Sequence, residues 1–248
     1  MSPLSVLITG GGRGVGRAAA AAFAARGHFV AIAGRDRAVL ETTAAELGPD
    51  RVTAQPCDVS QEAEVRDLFA AVIAQRNRID VVFNNAGLFS AAADPGETSF
   101  ETWRRVMAVN LDGAFLVASA AFRAMKTQNP KGGRIINNGS ISAHVPRPGS
   151  IPYTASKHAI TGLTKSIALD GRPHNIACGQ IDIGNAASDM TQQMPRGVPQ
   201  PDGSLRPEPV MDADLVGAAV LAMAELPLEA NILFQTIMAT GMPYIGRG

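Results

Sequence analysis

The chain has few cysteines, few aromatic residues and no surplus of charge of either sign. Its 248 residues include two cysteines, and aromatic residues make up 5% of the total. Cys57 and Cys178 lie far apart, which argues against a disulfide framework or a metal site and favours a reduced, cytoplasmic protein. The 22 basic side chains balance the 22 acidic ones. No basic field is therefore present to attract nucleic acid or anionic lipid.

Long hydrophobic runs are also lacking. No apolar run approaches the ~20 residues that a membrane-spanning helix needs. The opening MSPLSVLITGGG has no basic start of the kind that signal peptides carry, and its apolar run ends in glycines. We therefore predict no membrane segment and interpret residues 5–9 as a buried first strand.

Short apolar runs alternate with longer periodic segments along the rest of the chain. Strands are predicted at 5–9, 29–34, 52–57, 80–85, 133–140, 175–183 and 231–238, and helices at 13–26, 60–76, 99–127 and 153–169. Thr98 with Glu101, and Ser60, are predicted N-caps. The nearly continuous apolar strands are typical of a parallel sheet that is covered on both faces. The pattern predicts an α/β fold, a doubly wound parallel sheet of about seven strands with helices on both faces.

The composition changes at one place, MPRGVPQPDGSLRPEPV, which is rich in proline and glycine. Too little chain follows this stretch to form a second core. We predict a single domain, 1–248, with a lid-like loop at about 186–210, because long loops in compact domains are often binding elements. An adaptable apolar surface on this lid is expected from Met190, Met194 and Val198.

The stretch TGGGRGVG directly follows the first strand and precedes an alanine-rich helix. Glycines at such a turn let the backbone approach a pyrophosphate, which then rests on the helix N-terminus. The turn therefore predicts a dinucleotide cofactor. The residues expected to contact it are Gly10, Arg13, Gly14, Val15 and Gly16.

The end of the second strand, FVAIAGRDR, bears on the choice of cofactor. Gly34 stands where a carboxylate would bind the ribose 2′-hydroxyl of NAD, and Arg35 follows it. A missing carboxylate together with an arginine favours the 2′-phosphate of NADP(H), which Arg13 could also reach. Asp36 keeps NAD(H) open, as a carboxylate displaced by one or two residues.

These residues resemble the short-chain dehydrogenase/reductase family in its short single-domain branch. TGGGRGVG fits the family pattern TGxxxGxG, and the resemblance covers nearly the whole chain. The other matches, in chain order, are Asp58-Val59, NNAG at 84–87, Asn110, Ser140, and the YxxxK pair Tyr153 and Lys157. The family's Pro-Gly and following Thr are replaced here by Ile183-Gly184 and Ser188, and Ser188 keeps a hydroxyl for the nicotinamide carboxamide.

The resemblance implies a Rossmann-like fold and hydride transfer between a nicotinamide cofactor and a carbonyl or alcohol substrate. It implies that Asp58 and Val59 contact the adenine of the cofactor. Further cofactor contacts are implied for Asn85, Ala86, Gly87, Tyr153, Lys157, Gly184 and Ser188. The side chains of Asn84 and Asn85 are interpreted as ties between strand and helix. A homotetramer or homodimer is also implied.

Tyr153 and Lys157 are four residues apart, so on a helix they lie on one face, one turn apart. Tyrosine ordinarily has a pKa of about 10. A nearby ammonium lowers it toward the range of general acid–base catalysis, so Tyr153 is predicted to be the general acid/base. Ser140 would donate to the carbonyl oxygen. Asn110 would hold a water that links Lys157 to solvent, but a buried structural amide explains it equally well.

Three functions follow from these residues. The first is an NADP(H)-dependent reductase of a ketone, aldehyde or oxoacyl substrate. The second is an NAD-dependent alcohol or sugar dehydrogenase, and the third is a non-catalytic dinucleotide-binding regulatory protein. The complete catalytic set argues against the third. His144 and Arg147 line either the substrate pocket or a solvated loop, and the polar Gln180 and Asp182 of the sixth strand have no assigned role.

Overall fold

A computed structural model describes residues 2–188 and 191–245 of the chain. Its strands are β1 Ser5–Thr9, β2 Phe29–Gly34, β3 Val52–Pro56, β4 Val81–Asn84, β5 Gly133–Asn138, β6 Ile176–Gly184, β7 Val198–Pro199, β8 Leu205–Arg206 and β9 Phe234–Met238. Seven of them form one parallel sheet in the order β3-β2-β1-β4-β5-β6-β9, and β7 pairs with β8 in a small antiparallel ribbon. The reversal of strand order beside β1 is the switch point of a doubly wound sheet.

The helices connect successive strands of this sheet. They are α1 Gly14–Ala25, α2 Arg37–Leu47, α3 Glu62–Arg76, α4 Phe100–Met107, α5 Ala114–Thr127, α6 Ile151–Asp170 and α7 Ala213–Ala224. A π-helical segment, Ala108–Gly113, joins α4 to α5. Side chains alternate between the two faces of each strand. Val6 and Ile8 of β1 therefore pack in one core cluster with α1 and α7, while Leu7 packs in the other with α3 and α5.

This architecture confirms the predicted doubly wound α/β fold. All seven predicted strands are present, and the largest shift of an end, three residues, is at the last strand, predicted from 231 and observed from Phe234. The predicted helices omitted α2 and α7. Both predicted N-caps are wrong. Ser99 rather than Thr98 caps α4, and the Ser60 hydroxyl donates to Asp58 instead of capping α3.

The helix Phe100–Thr127 is long and apolar enough, by length and composition alone, to cross a membrane, with a mean hydropathy of 1.3 in its most apolar window. Polar residues such as Asn110 and Asp112 interrupt its apolar run, so the sequence shows no long apolar stretch here. Of that window, 44% is buried inside the domain, against α3 and α6 among other elements. One such helix is weak evidence for a membrane span, because core helices of soluble proteins pass the same test.

The predicted lid at 186–210 follows β6 and contains the β7–β8 ribbon and a short 3₁₀ turn, Met194–Arg196. Ala186 at its start pairs with Met211 just beyond its end, so the two ends of the lid meet. Val198 is 7% exposed, hence buried rather than part of an apolar surface. Met190 lies outside the described residues.

Candidate active site

Two adjoining clefts lie at the carboxyl ends of the strands. The larger cleft encloses about 1530 Å³ of non-atom space, its open mouth included. Water molecules can reach about 710 Å³ of this space, which is within the range of about 300–1000 Å³ that is typical of ligand pockets. The predicted cofactor residues that line it are Gly10, Arg13, Gly14, Val15, Gly16, Arg35, Asn85, Ala86, Gly87 and Ser188.

The glycine turn forms one wall of this larger cleft. Gly10 and Gly14 have φ values of +66° and +50°, which favour glycine, and a Cβ on Gly16 would lie 2.1 Å from the carbonyl oxygen of Gly10. No side chain caps the N-terminus of α1, and its first turn has no acidic residue. Its N–H groups and the positive end of the helix dipole are therefore available to an anion. The turn fits the pyrophosphate of a dinucleotide.

The end of β4 holds the glycine turn in place. Asn85 donates through Nδ2 to the carbonyl oxygen of Thr9 over 2.9 Å, and its peptide N–H donates to the Thr9 hydroxyl over 2.9 Å. Asn84 donates to the carbonyl oxygen of Ala114 in α5 over 2.8 Å, so it ties strand to helix as the sequence argument expects. The side chains of Asn84 and Asn85 thus support the backbone that forms the cleft.

Charged residues surround the mouth of the larger cleft beyond β2. Asp36 caps α2 by accepting from the peptide N–H of Val39 over 3.2 Å, and its other carboxylate oxygen lies 3.4 Å from Nη2 of Arg13. Arg35 is exposed, and within the described part of the chain its side chain forms no hydrogen bond or ion pair.

Five predicted cofactor residues do not line the larger cleft. Tyr153 and Gly184 line the smaller cleft, and Lys157 is buried and lines neither. Asp58 is bonded to Ser60, and Val59 is buried against Gly113.

The smaller cleft contains the predicted catalytic serine and tyrosine. It encloses about 680 Å³ of non-atom space, its open mouth included, and its lining includes Ser140, Tyr153, Phe89, Gly184 and Ser188. Ser140 follows the end of β5, and Tyr153 lies in the first turn of α6. The ring of Phe89 packs on the Tyr153 ring with 4.7 Å between centroids. Ser188 lines both clefts, so the two form one connected region.

Lys157 lies one turn after Tyr153, as predicted, and is 5% exposed. Its Nζ donates to the carbonyl oxygen of Asn138 over 2.7 Å and is 5.6 Å from the centroid of the Tyr153 ring. Burial lowers the pKa of Lys157 to about 8, against an opposing effect of Asp182. The ammonium is therefore held by the strand end and lies within cation–π distance of the Tyr153 ring.

The pKa of Tyr153 moves opposite to the direction expected from Lys157. Burial raises it, and so does the charge of Asp182, while the hydroxyl of Ser140 and the charge of Arg147 lower it. Lys157 is not among the causes of this pKa shift. The expectation was wrong because the sequence does not reveal how strongly the phenol is desolvated.

Asn110 lies in the π-helical segment and is 2% exposed. Its Oδ1 accepts from the peptide N–H of Leu88 over 2.7 Å, and its Nδ2 donates to the carbonyl oxygen of Leu88 over 2.9 Å and to the Ser156 hydroxyl over 3.2 Å. The amide therefore fastens the loop after β4 to α6, as expected if Asn110 is a buried structural amide. π-Helical turns are nonetheless common at functional sites.

The polar residues of β6, unexplained by the sequence, form part of this site. Asp182 is 2% exposed and contacts both Ser140 and His144, and Gln180 donates to Asp182 over 2.7 Å. Arg147 lines the smaller cleft and forms a buried ion pair with Glu208. Two polar residues two apart in an apolar strand share a face of that strand, which is the signal that could have revealed them.

Comparisons with known proteins show the family to which the chain belongs. The short chain dehydrogenase family matches residues 5–198. L-fucose dehydrogenase of Bos taurus is 31% identical over 201 residues, which are 81% of this chain and 73% of that protein. Short-chain dehydrogenase fogB of Aspergillus ruber is 36% identical over 214 residues, 78% of each chain.

The fold is also shared with solved structures. A 3-ketoacyl-(acyl-carrier-protein) reductase from Brucella melitensis, complexed with NADH, has a TM-score of 0.86 at 24% identity, with 96% of this chain and 98% of that chain covered. At this identity the likeness concerns the fold. From the family match and the sequence relatives, the chain belongs to the short-chain dehydrogenase/reductase family and is an NAD(P)-dependent oxidoreductase of alcohol and carbonyl groups.

Proposed function

We propose that this protein is an NADP(H)-dependent reductase of a ketone, aldehyde or oxoacyl substrate, with Tyr153 as the general acid. The observation that carries the proposal is the convergence of Ser140, Tyr153 and Lys157 beside a cleft that is lined by the glycine turn. A binding protein without turnover would not need this combination of groups, and this argues against the regulatory alternative.

Each group has a role that its contacts support. When bound, a nicotinamide cofactor would supply the hydride for the carbonyl carbon. Tyr153 gives its proton to the carbonyl oxygen, so that an alcohol forms, and solvent replaces the proton. The Ser140 oxygen accepts from the peptide N–H of Ser142 over 3.1 Å, which leaves its own proton to donate to the carbonyl oxygen. Lys157 has a pKa of about 8, so it can exchange protons near neutral pH.

The preference for NADP(H) rests on the mouth of the larger cleft. Arg35 is exposed there, and the carboxylate of Asp36 is engaged by the cap of α2 and by Arg13. An NAD(H) enzyme would need a carboxylate for the ribose hydroxyls. The second candidate, an NAD-dependent alcohol or sugar dehydrogenase, has support from the similarity to L-fucose dehydrogenase, with Asp36 released from Arg13.

The test is a titration with NADPH and NADH, followed by turnover of Tyr153→Phe. NADPH tighter by about tenfold, or 1.4 kcal/mol, and loss of this difference in Arg35→Ala, would support the proposed cofactor. Equal or tighter NADH would favour the second candidate. Tyr153→Phe should bind cofactor but lose turnover by about 10²-fold or more. Tyr244→Phe, which changes the only other tyrosine, is the matched control.

We also propose that the protein is an oligomer and is located in the cytoplasm. Phe100 and Phe115 on the long helix are 74% and 54% exposed, and Leu169 near the end of α6 is 58% exposed. Exposed apolar side chains on these two helices support a homodimer or homotetramer assembled through them. The two cysteines are buried and free, which agrees with a reducing compartment.

A further inference from the structure

Asp182 places a carboxylate inside the central sheet. It lies in β6, in register with Thr236 of β9, and is 2% exposed. A buried carboxylate is costly unless hydrogen bonds or an opposite charge compensate it. The sequence around it, IACGQIDIG, is otherwise almost entirely apolar. We therefore expect partners that compensate the buried charge of Asp182.

Both carboxylate oxygens of Asp182 have partners. Oδ1 accepts from the peptide N–H of Ser140 over 3.0 Å and from Nε2 of Gln180 over 2.7 Å. Oδ2 lies 2.9 Å from Nε2 of His144, whose side chain is 44% exposed. Asp182 thus connects the strand end that bears Ser140 to a histidine at the surface.

Gly139 makes this arrangement possible. A Cβ at residue 139 would lie 2.0 Å from Oδ1 of Asp182 and 2.7 Å from Nε2 of Gln180. Any side chain larger than hydrogen would displace the carboxylate from the peptide N–H of Ser140. The absence of a side chain at residue 139 and the carboxylate at residue 182 therefore belong to one local arrangement.

Ser140 is held from two sides as a result. Asp182 fixes its peptide N–H, and the N–H of Ser142 binds its side-chain oxygen over 3.1 Å. The serine hydroxyl acts on the carbonyl oxygen only if it is aimed correctly, because misplacements of about 1 Å can reduce rates by about 10²-fold. The Asp182 carboxylate is thus well placed to fix the orientation of the Ser140 hydroxyl.

From this geometry, and resting on the proposed function, we propose that Asp182 is a positioning residue of the reaction. It anchors Ser140 through the peptide N–H, and it presents a negative charge to the groups that exchange the proton.

The charges around Asp182 agree with this role. The ionisable groups that act with it are His144 from the loop after β5, and Tyr153 and Lys157 from α6. The negative charge of Asp182 raises the pKa of both Tyr153 and Lys157, while Arg147 lowers the pKa of Tyr153. Removing the charge should therefore let Tyr153 ionise at lower pH.

Two substitutions separate the charge from the anchor. Asp182→Asn keeps an oxygen that can accept from Ser140 and removes the charge, whereas Asp182→Ala removes both. Gly139→Ala should reproduce the effect of Asp182→Ala by displacing the carboxylate. Asp170→Asn, at the exposed end of α6, is the control for loss of one carboxylate. Circular dichroism and urea unfolding show which variants are folded.

The first readout does not depend on the substrate. The chain has two tyrosines, and phenolate is followed by its ultraviolet absorbance. The absorbance of each protein, minus that of the same protein carrying Tyr153→Phe, reports Tyr153 alone. Asp182→Asn should shift this titration to lower pH, and Asp170→Asn should not. An Asp182→Asn titration that coincides with the wild type would overturn the proposed effect of the Asp182 charge on Tyr153.

The second readout is turnover with a carbonyl or alcohol that the wild type accepts. Asp182→Ala and Gly139→Ala should lose about tenfold or more in kcat, with the Kd for cofactor within about twofold. Asp182→Asn should retain most of the kcat, with its pH profile shifted to lower pH. Wild-type kcat in folded Asp182→Ala would overturn the anchoring role. Full turnover of Tyr153→Phe would instead refute the proposed catalytic function. The absorbance titration would still test whether the charge of Asp182 acts on Tyr153.

Discussion

Arg147 and Glu208 form a buried ion pair that joins the loop after β5 to the end of the lid. Glu208 is 1% exposed, and the Arg147 side chain is 12% exposed. Asn185 bridges the pair, donating to Glu208 over 2.9 Å and accepting from Arg147 over 2.9 Å. Gln200, also in the lid, donates to the other oxygen of Glu208 over 3.1 Å. Charge and hydrogen bonds, rather than apolar packing alone, hold the lid beside the smaller cleft.

Glu208→Ala should destabilise the protein by about 3–5 kcal/mol, because it leaves the buried guanidinium of Arg147 without its carboxylate. Urea unfolding measures the loss, and limited proteolysis should show faster cleavage within the lid. The double variant Arg147→Met/Glu208→Leu should recover most of the stability, since no charge is then buried. A loss below about 1 kcal/mol in the single variant, as for an exposed ion pair, would contradict this account.

Cys57 and Cys178 should be inert toward thiol reagents in the folded protein. They are 2% and 0% exposed, and burial raises the pKa of each thiol to about 12. The thiolate is the reactive form, so both access and ionisation slow the reaction. A thiol titration near neutral pH should detect both cysteines only after unfolding. Rapid labelling of either residue in the native protein would show that its surroundings open readily.

The sequence predicts the sheet well because its strands are buried on both faces and so are continuously apolar. Helix α7 was not predicted, for a related reason. Its sequence, ADLVGAAVLAMA, is apolar on nearly every side, so it lacks the polar stripe that marks a helical period. Helix α2 is short and contains two adjacent threonines, Thr42 and Thr43, whose helix propensity is low.

Within the site, the resemblance to the family's motifs pointed to Ser140, Tyr153 and Lys157, and the structure brings the three side chains together. Their catalytic roles stay a prediction. The partners of the supporting charges could not be predicted. His144 and Asp182 are 38 residues apart in sequence, and Arg147 and Glu208 are 61 apart. Which of many charges will meet over such separations depends on tertiary packing. The direction of the pKa of Tyr153 was wrong for the same reason, since desolvation is a property of the folded chain.

Gly16→Ala should weaken the binding of both NADPH and NADH by about 5- to 150-fold. The added Cβ would lie 2.1 Å from the carbonyl oxygen of Gly10, so the turn must open, at a typical overpacking cost of about 1–3 kcal/mol. Gly162→Ala in α6 is the matched control, because its Cβ would meet no atom within 4 Å. It should bind cofactor normally and be more stable by up to about 1 kcal/mol. Wild-type affinity in Gly16→Ala, measured by cofactor titration, would remove the glycine turn from the cofactor site.

Lys157 should leave a signature in the pH dependence of stability. Burial lowers its pKa from 10.5 to about 8. Between these values the unfolded chain holds a proton that the folded chain has released, so this contribution to stability rises with pH. It is complete above pH 10.5 and is lost as pH falls through about 8.

The comparison with Lys157→Met isolates this contribution. Relative to this variant, the wild type should gain up to about 3 kcal/mol across that range, as urea unfolding at a series of pH values would show. Lys165→Met, at an exposed position on the same helix, is the control for the loss of one ammonium. A stability difference for Lys157→Met that is constant with pH would mean that Lys157 stays protonated in the fold. The ammonium would then be a fixed charge beside Tyr153, and it would not exchange protons during turnover.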